Sequence, residues 1–212
     1  IYGALNFYIF TRGWEIVRGS PSSFPYIALF LALSLSFVAG RFLERVQLSW
    51  ASSGLVWLGA FWLAAMVYFL IAVSTIDLVR LLDHFVPVVP DIFSKEKVAL
   101  VVVSVVFAVV FLGHVNALSP RIRTLELTIP KNAHRLRMLN IAVASDIHLG
   151  TIVCKARLER IVAKINSLKP DLVLLPGDVV DEDIGPVIKQ NLGETLRKIQ
   201  SNYGVIAVTG NH

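Results

Sequence analysis

Three stretches of this 212-residue chain contain no Asp, Glu, Lys or Arg: 19–40, 54–76 and 98–119. Each supplies the ~20 apolar residues that a helix needs to cross a hydrocarbon core of ~30 Å. A single Lys, Arg or Asp at the centre of such a helix costs roughly 2.5–3.5 kcal/mol. Three complete membrane spans are therefore expected. The run 1–10 is also apolar but would reach only ~15 Å as a helix. It reads as the end of a further span that begins before Ile1. A signal peptide is the alternative, and no cleavage-like region follows it.

The apolar excess is confined to that half. A hydrophobic fraction of 55% and a mean hydropathy of +0.67 are too high for a soluble protein of this size. Residues 1–119 hold 7 Lys/Arg and 6 Asp/Glu, whereas residues 120–212 hold 13 and 9. The second half carries most of the net charge of +5, and a domain boundary is expected at 119/120. The single cysteine, Cys154, excludes an internal disulfide and reads as an ordinary loop thiol.

Within the apolar half, Pro21 and Pro25 fall at the start of the first window, where they disturb a helix least. Trp50, Trp57 and Trp62 cluster toward one end of the second, as interfacial aromatics do. Asp77 and Arg80 are spaced to pair on one helix at the membrane interface. His114 reads as packed or interfacial. No charge sits in mid-span, which argues for an anchor and against a transporter. Assigning alternate loops to opposite sides gives five basic residues (Arg12, Arg18, Arg80, Lys95, Lys97) against seven (Arg41, Arg45, Arg121, Arg123, Lys131, Arg135, Arg137). That excess orients the C-terminal half toward the cytoplasm.

The polar half reads as alternating strands and helices. Ile122, Leu125, Leu127 and Ile129 alternate with polar residues over 121–129, a half-buried strand pattern. A turn over 130–135 leads to a second strand over 136–145, apolar on both faces as a central strand must be. Leu158, Ile161, Val162, Ile165 and Leu168 form one stripe of a helix over 155–168, which Pro170 stops. Residues 172–175 read as a buried strand. Pro186 opens a second helix, with Ile188, Leu192, Leu196 and Ile199 toward the sheet and Gly193 weakening it. After a turn at 201–204, residues 205–208 form a third buried strand. This order predicts an α/β sheet with right-handed crossovers.

In such sheets ligands bind beyond the carboxyl ends of the strands. Asp146, His148, Asp178, Asn211 and His212 all fall there. Asp146 and His148 are one residue apart, which in an extended segment turns both to one side. Carboxylate and imidazole together suit a borderline divalent metal such as zinc, manganese or iron. Asp178 follows Gly177, which lets the backbone bend closely around a site. Asn211 offers a neutral oxygen and His212 a second imidazole. Two metals ~3.5–4 Å apart would activate water and clamp a phosphoryl group.

The ordered motifs Asp146-Ile147-His148, Gly177-Asp178 and Gly210-Asn211-His212 resemble those of the calcineurin-like metallophosphoesterases. The resemblance covers about residues 121–212 and is nearest to the membrane-attached bacterial branch with several spans before the domain. It implies an N-terminal transmembrane helical bundle followed by an α/β metallophosphoesterase-type domain, here the first part of a layered β-sandwich. It also implies two divalent metal ions (Mn, Fe or Zn). Asp146 and His148 would hold the first metal, Asp178 would bridge, and Asn211 would hold the second. His212 would be catalytic, stabilising charge on the phosphate or protonating the leaving oxygen. The family's later ligands, among them a Gly-His-x-His motif, lie beyond His212, so the domain reads as incomplete.

The implied function is hydrolysis of a phosphomonoester or phosphodiester, including lipid-linked ones, by a protein of the bacterial cytoplasmic membrane. Membrane lipids are expected partners and nucleic acid is not. Plainer readings stand beside this one. Asp146 or Asp178 could cap a helix or turn. Asp181, Glu182 and Asp183 read as a solvated loop, and His134 as an exposed turn residue. Asp146 could instead accept a phosphoryl group, but that chemistry wants an acid where His148 stands. A non-catalytic membrane protein that binds metal or phosphate as a sensor, or a bundle regulated by its domain, is the alternative to an enzyme.

Overall fold

The computed structural model describes residues 1–86, 94–130, 138–181 and 183–211. The chain forms two compact units, Ile1–Ala117 and Leu118–His212.

The first unit is four helices: α1 (Tyr2–Val17), α2 (Ser23–Val46), α3 (Trp50–Phe85) and α4 (Lys95–Ala117). The last three are long and apolar enough to cross a membrane. All three outrun their charge-free windows, most of all α3. At 36 residues it would extend ~54 Å, so its charged end reaches past the hydrocarbon core. Its start is fixed by a capping box. Ser52 N donates to Ser49 Oγ at 3.1 Å and Ser49 N to Ser52 Oγ at 2.9 Å, satisfying two otherwise orphaned amides. Against α2 the helix packs through small residues. A Cβ on Gly40 would lie 2.7 Å from the Val56 amide nitrogen, and one on Gly59 would collide with the Phe37 backbone. Close backbone approach of this kind is how helices gain contact where lipid removes the hydrophobic drive.

Several residues of this unit depart from the sequence reading. Helix α1 continues through Arg12 to Val17, so 11–17 is helix rather than loop. Asp77 pairs with Arg12 at 2.8 Å, not with Arg80, and it accepts the Tyr8 hydroxyl at 2.5 Å. A partner on another helix satisfies the carboxylate better than an i+3 neighbour can. The tryptophans differ in their surroundings. Trp50 is exposed, but Trp62 is buried and donates its indole N–H to Asn6 Oδ1 at 2.9 Å. His114 is packed, edge-on to Trp57 and Phe61 at centroid distances of 5.8 and 5.1 Å.

The second unit is a three-stranded parallel sheet of β1 (Ile141–Val143), β2 (Leu172–Pro176) and β3 (Val205–Val208), in that order. Helix α5 (Lys155–Ser167) joins β1 to β2. Two short helices, α6 (Gly185–Lys189) and α7 (Leu192–Leu196), join β2 to β3. One core cluster contains Ala142, Val173 and Leu175 of the sheet, Leu158, Val162 and Ile165 of α5, and Leu192 of α7. All three helical segments thus cover the same face. Burying a side chain such as Leu158 contributes about 1.5–3 kcal/mol.

The sheet differs from expectation in four ways. Residues 121–130 form no strand, and Leu125, Leu127 and Ile129 are at least 73% exposed. Apolar alternation makes a strand only where another strand accepts its hydrogen bonds. The second expected strand shortens to β1, and β1 is an edge; β2 is the central strand. The helix expected after Pro186 is broken at Asn191, whose φ is 54°. That break exposes Ile188 while Leu192 stays buried. Finally, β3 is a strand but an exposed one. By register Ile141, Val143 and Ile206 share the uncovered face with Leu172 and Leu174, and no described element covers it. Residues 131–137, which include His134 and most of the turn expected over 130–135, lie outside the described residues.

Candidate functional site

Residues 146–149 and 177–179 continue the β1–β2 pairing past the regular ladder. Ala144 N donates to Leu174 O at 3.0 Å, Asp146 N to Gly177 O at 3.3 Å, His148 N to Asp178 O at 2.9 Å and Leu149 N to Val179 O at 2.9 Å. Side chains alternate across this segment. Ile147 and Leu149 are buried in the core, while Asp146 and His148 turn away from it. The backbone is not extended, however. Asp146, His148 and Asp178 have φ of 54°, 51° and 48°. Left-handed backbone costs an L-residue roughly 1–2 kcal/mol, less for Asp. Such residues cluster at functional sites because surrounding structure holds them there.

The result is convergence. One ligand atom from each of Asp146, His148 and Asp178 lies within 4.8 Å of the others. Asp146 is exposed and the other two are half-buried, so solvent reaches the site. Two carboxylates and an imidazole are a donor set that suits a borderline divalent cation. The N-cap position of α5 is Cys154, without a side-chain hydrogen bond, so Asp146 does not cap that helix.

The third motif reaches the same place through its glycine. Gly177 has φ of 107°, and a Cβ on it would lie 3.3 Å from Gly210 Cα. Gly210 in turn lies against the Asp178 carboxylate. Asn211 is exposed just beyond, and His212 lies outside the described residues. Asp181 is not simply a solvated acid. It is half-buried, its amide donates to Leu149 O at 3.0 Å, and its side chain packs by Gly150. Asp183 Oδ1 accepts from Gly185 N at 2.8 Å, and Glu182 is outside the described residues.

Gln190 is a structural contributor that sequence reasoning missed. It accepts from Lys155 N at 3.0 Å and donates to Gly150 O at 3.2 Å. That clamp holds the loop following His148 against the end of α6. No local pattern announces it, since both partners are backbone groups 35 and 40 residues away.

At the opposite, amino-terminal end of the strands sits Asp171. It accepts from Asn140 N at 2.9 Å and Asn202 Nδ2 at 2.7 Å, tying the starts of β1 and β3 to β2. Hydrogen bonds from Asn140 and then Asn202 hold its carboxyl below the ordinary value of 3.8.

Acid and imidazole side chains thus converge at adjacent parallel strand ends, and this part of the chain, the domain over residues 139–212, matches the calcineurin-like phosphoesterase family model. The chain as a whole joins this domain to membrane-type helices. It is 33% identical over 119 residues to a transmembrane protein with metallophosphoesterase domain from Danio rerio, covering 56% of this chain and 26% of that protein. It is 31% identical over 103 residues to the uncharacterized metallophosphoesterase YkuE of Bacillus subtilis, covering 47% of this chain and 36% of that one. A third relative is named UDP-2,3-diacylglucosamine pyrophosphatase LpxG, from Chlamydia trachomatis. It is 30% identical over 103 residues, covering 49% of this chain and 31% of that protein. The chain spans about a quarter of the length of the first relatives it matches. No solved structure matches it.

Proposed function

We propose that the protein containing this chain is a membrane-anchored, metal-dependent hydrolase of phosphoesters. The observation that carries the reading is the meeting of Asp146, His148 and Asp178, one ligand atom each within 4.8 Å, at the ends of two adjacent parallel strands. Asp146 and His148 would hold one divalent ion, Asp178 would bridge to a second, and Asn211 would serve that second ion. The ions would supply Lewis acidity and lower the pKa of water, as divalent metals do in phosphoryl hydrolysis.

The chain's own residues set the rest. The buried Ile147 and Leu149 anchor the ligand segment, so that Asp146 and His148 keep their direction without metal. Gly177 and Gly210 leave room for Asp178. His212 follows Asn211 directly and is assigned the protonation of the leaving oxygen or the stabilisation of charge on the phosphate.

A lipid-linked substrate is part of the proposal. One relative is named as a pyrophosphatase of a diacylated sugar nucleotide, and membrane-type helices precede the domain in the chain. The domain is assigned to the cytoplasmic face of a bacterial membrane. Residues 1–212 alone are expected to be inactive, because the ligand set they supply is partial.

The test uses the full-length protein in detergent and a chromogenic phosphoester. Activity should vanish on chelation and return with Mn²⁺ or Zn²⁺. Asp178→Asn should cost ~10²-fold or more, since small misplacement of reacting groups has that effect, and bound metal should fall. Full activity after chelation, or normal metal content in the Asp178→Asn protein, would overturn the assignment.

A further inference from the structure

The membrane unit contains a cavity of about 360 Å³ between α1, α2, α3 and α4. It lies within the size range of small-ligand sites. Its wall changes character along α3. From Trp62 through Phe69, Val73 and Ile76 it is apolar, and it then meets Asp77 and Arg80. The 19 residues from Trp62 to Arg80 span ~27 Å of helix, more than one leaflet of a bilayer core of ~30 Å. The cavity therefore has a long apolar part and a charged end.

The charges at that end do not balance internally. Arg12 holds both acids of the wall, Asp77 at 2.8 Å and Glu15 at 2.8 Å. The Tyr8 hydroxyl adds a further bond to Asp77. Arg80 and Lys95 also line the cavity, and neither is in an ion pair among the described residues. Glu96, beside Lys95, is not part of the lining. Lys95 is the first residue of α4, where the helix end adds its own positive partial charge. One wall thus presents two cations to whatever occupies the cavity, with the acids already taken.

From this we infer that the cavity is a binding site for an anionic phospholipid. An acyl chain occupies the groove beside Phe69 and Val73, and the phosphate faces Arg80 and Lys95. A neutral detergent-like molecule would leave both cations unmatched, and a free anion would leave the apolar groove unfilled. The site lies in the membrane unit and does not depend on the reading of the domain as a hydrolase.

The test is lipid binding by the delipidated full chain in a nonionic detergent, read by native mass spectrometry without added metal. The probes are dioleoyl phosphatidylglycerol and dioleoyl phosphatidylcholine. One phosphatidylglycerol should bind per chain, preferred about tenfold or more, given that each membrane-proximal cation contributes appreciably to anionic lipid attraction. Arg80→Gln with Lys95→Gln should erase that preference while phosphatidylcholine binding stays as it was. Val73→Trp should reduce binding of both lipids. Helical circular dichroism and monodisperse elution check folding. If the double variant fails that check, Lys95→Gln alone, at an exposed position, should still narrow the preference. Equal binding of the two lipids, unsaturable uptake, a preference that survives the cation changes, or displacement by inorganic phosphate would each overturn the inference. Because no turnover is measured, a failure here leaves the phosphoesterase reading intact, and the converse also holds.

Discussion

Gly210 lies so close to Asp178 that a Cβ on it would sit 2.5 Å from the Asp178 amide nitrogen and deeper still into the carboxylate. The third motif thus meets the second through the absence of a side chain. Gly210→Ala should push Asp178 away from Asp146 and His148. In the full-length protein, bound metal and phosphoesterase rate should fall at least ~10-fold, as expected when a positioned group moves. Metal analysis and a chromogenic assay check this, and unchanged values would mean that Asp178 has room to adjust.

His148 carries a left-handed backbone at φ 51° with no glycine to relieve it. His148→Gly should stabilise the metal-free domain by up to about 1 kcal/mol, while removing metal affinity. Hydrogen exchange of the β2 amides, measured without metal, reads the stability. Slower exchange with lost metal binding is expected; faster exchange would show that the imidazole's other contacts outweigh the strain.

Leu158 is fully buried at the centre of the domain core. Leu158→Ala should cost about 2–5 kcal/mol, from lost burial and the cavity left behind. The same exchange measurement should show β2 opening far more readily. The helices of the first compact unit, Ile1–Ala117, should keep their exchange rates.

Asp171 ties the strand starts, and its carboxyl is held below 3.8 by Asn140 and Asn202. A folded-state value below the unfolded one means that its contribution is complete above the unfolded value. It is lost as pH falls through the lower, folded value. Asp171→Asn should flatten the acid limb of domain stability and leave neutral-pH metal binding in place. An unchanged acid limb would show that other carboxylates set it.

Much of this protein was legible in its sequence because the relevant physics is local. Charge-free runs such as 54–76 mark membrane-type helices through the cost of desolvating a charge, which needs no tertiary information. The stripe Leu158–Val162–Ile165 marked the face of α5 that the core uses. The positions of Asp146, His148 and Asp178 just past apolar strands marked three residues that converge in the fold, because parallel strands bring their ends together. Partner-dependent features were decided only by the tertiary structure. Arg12 rather than Arg80 neutralises Asp77 because another helix brings it within 2.8 Å, a distance no spacing rule on one helix encodes. Leu125, Leu127 and Ile129 alternate like a strand yet stand exposed, because alternation describes a face and only a neighbouring strand makes it a sheet. The left-handed turns at Asp146, His148 and Asp178 were likewise invisible. None of these residues is glycine, and the conformation is imposed by the hydrogen bonds that lace 146–149 to 177–179.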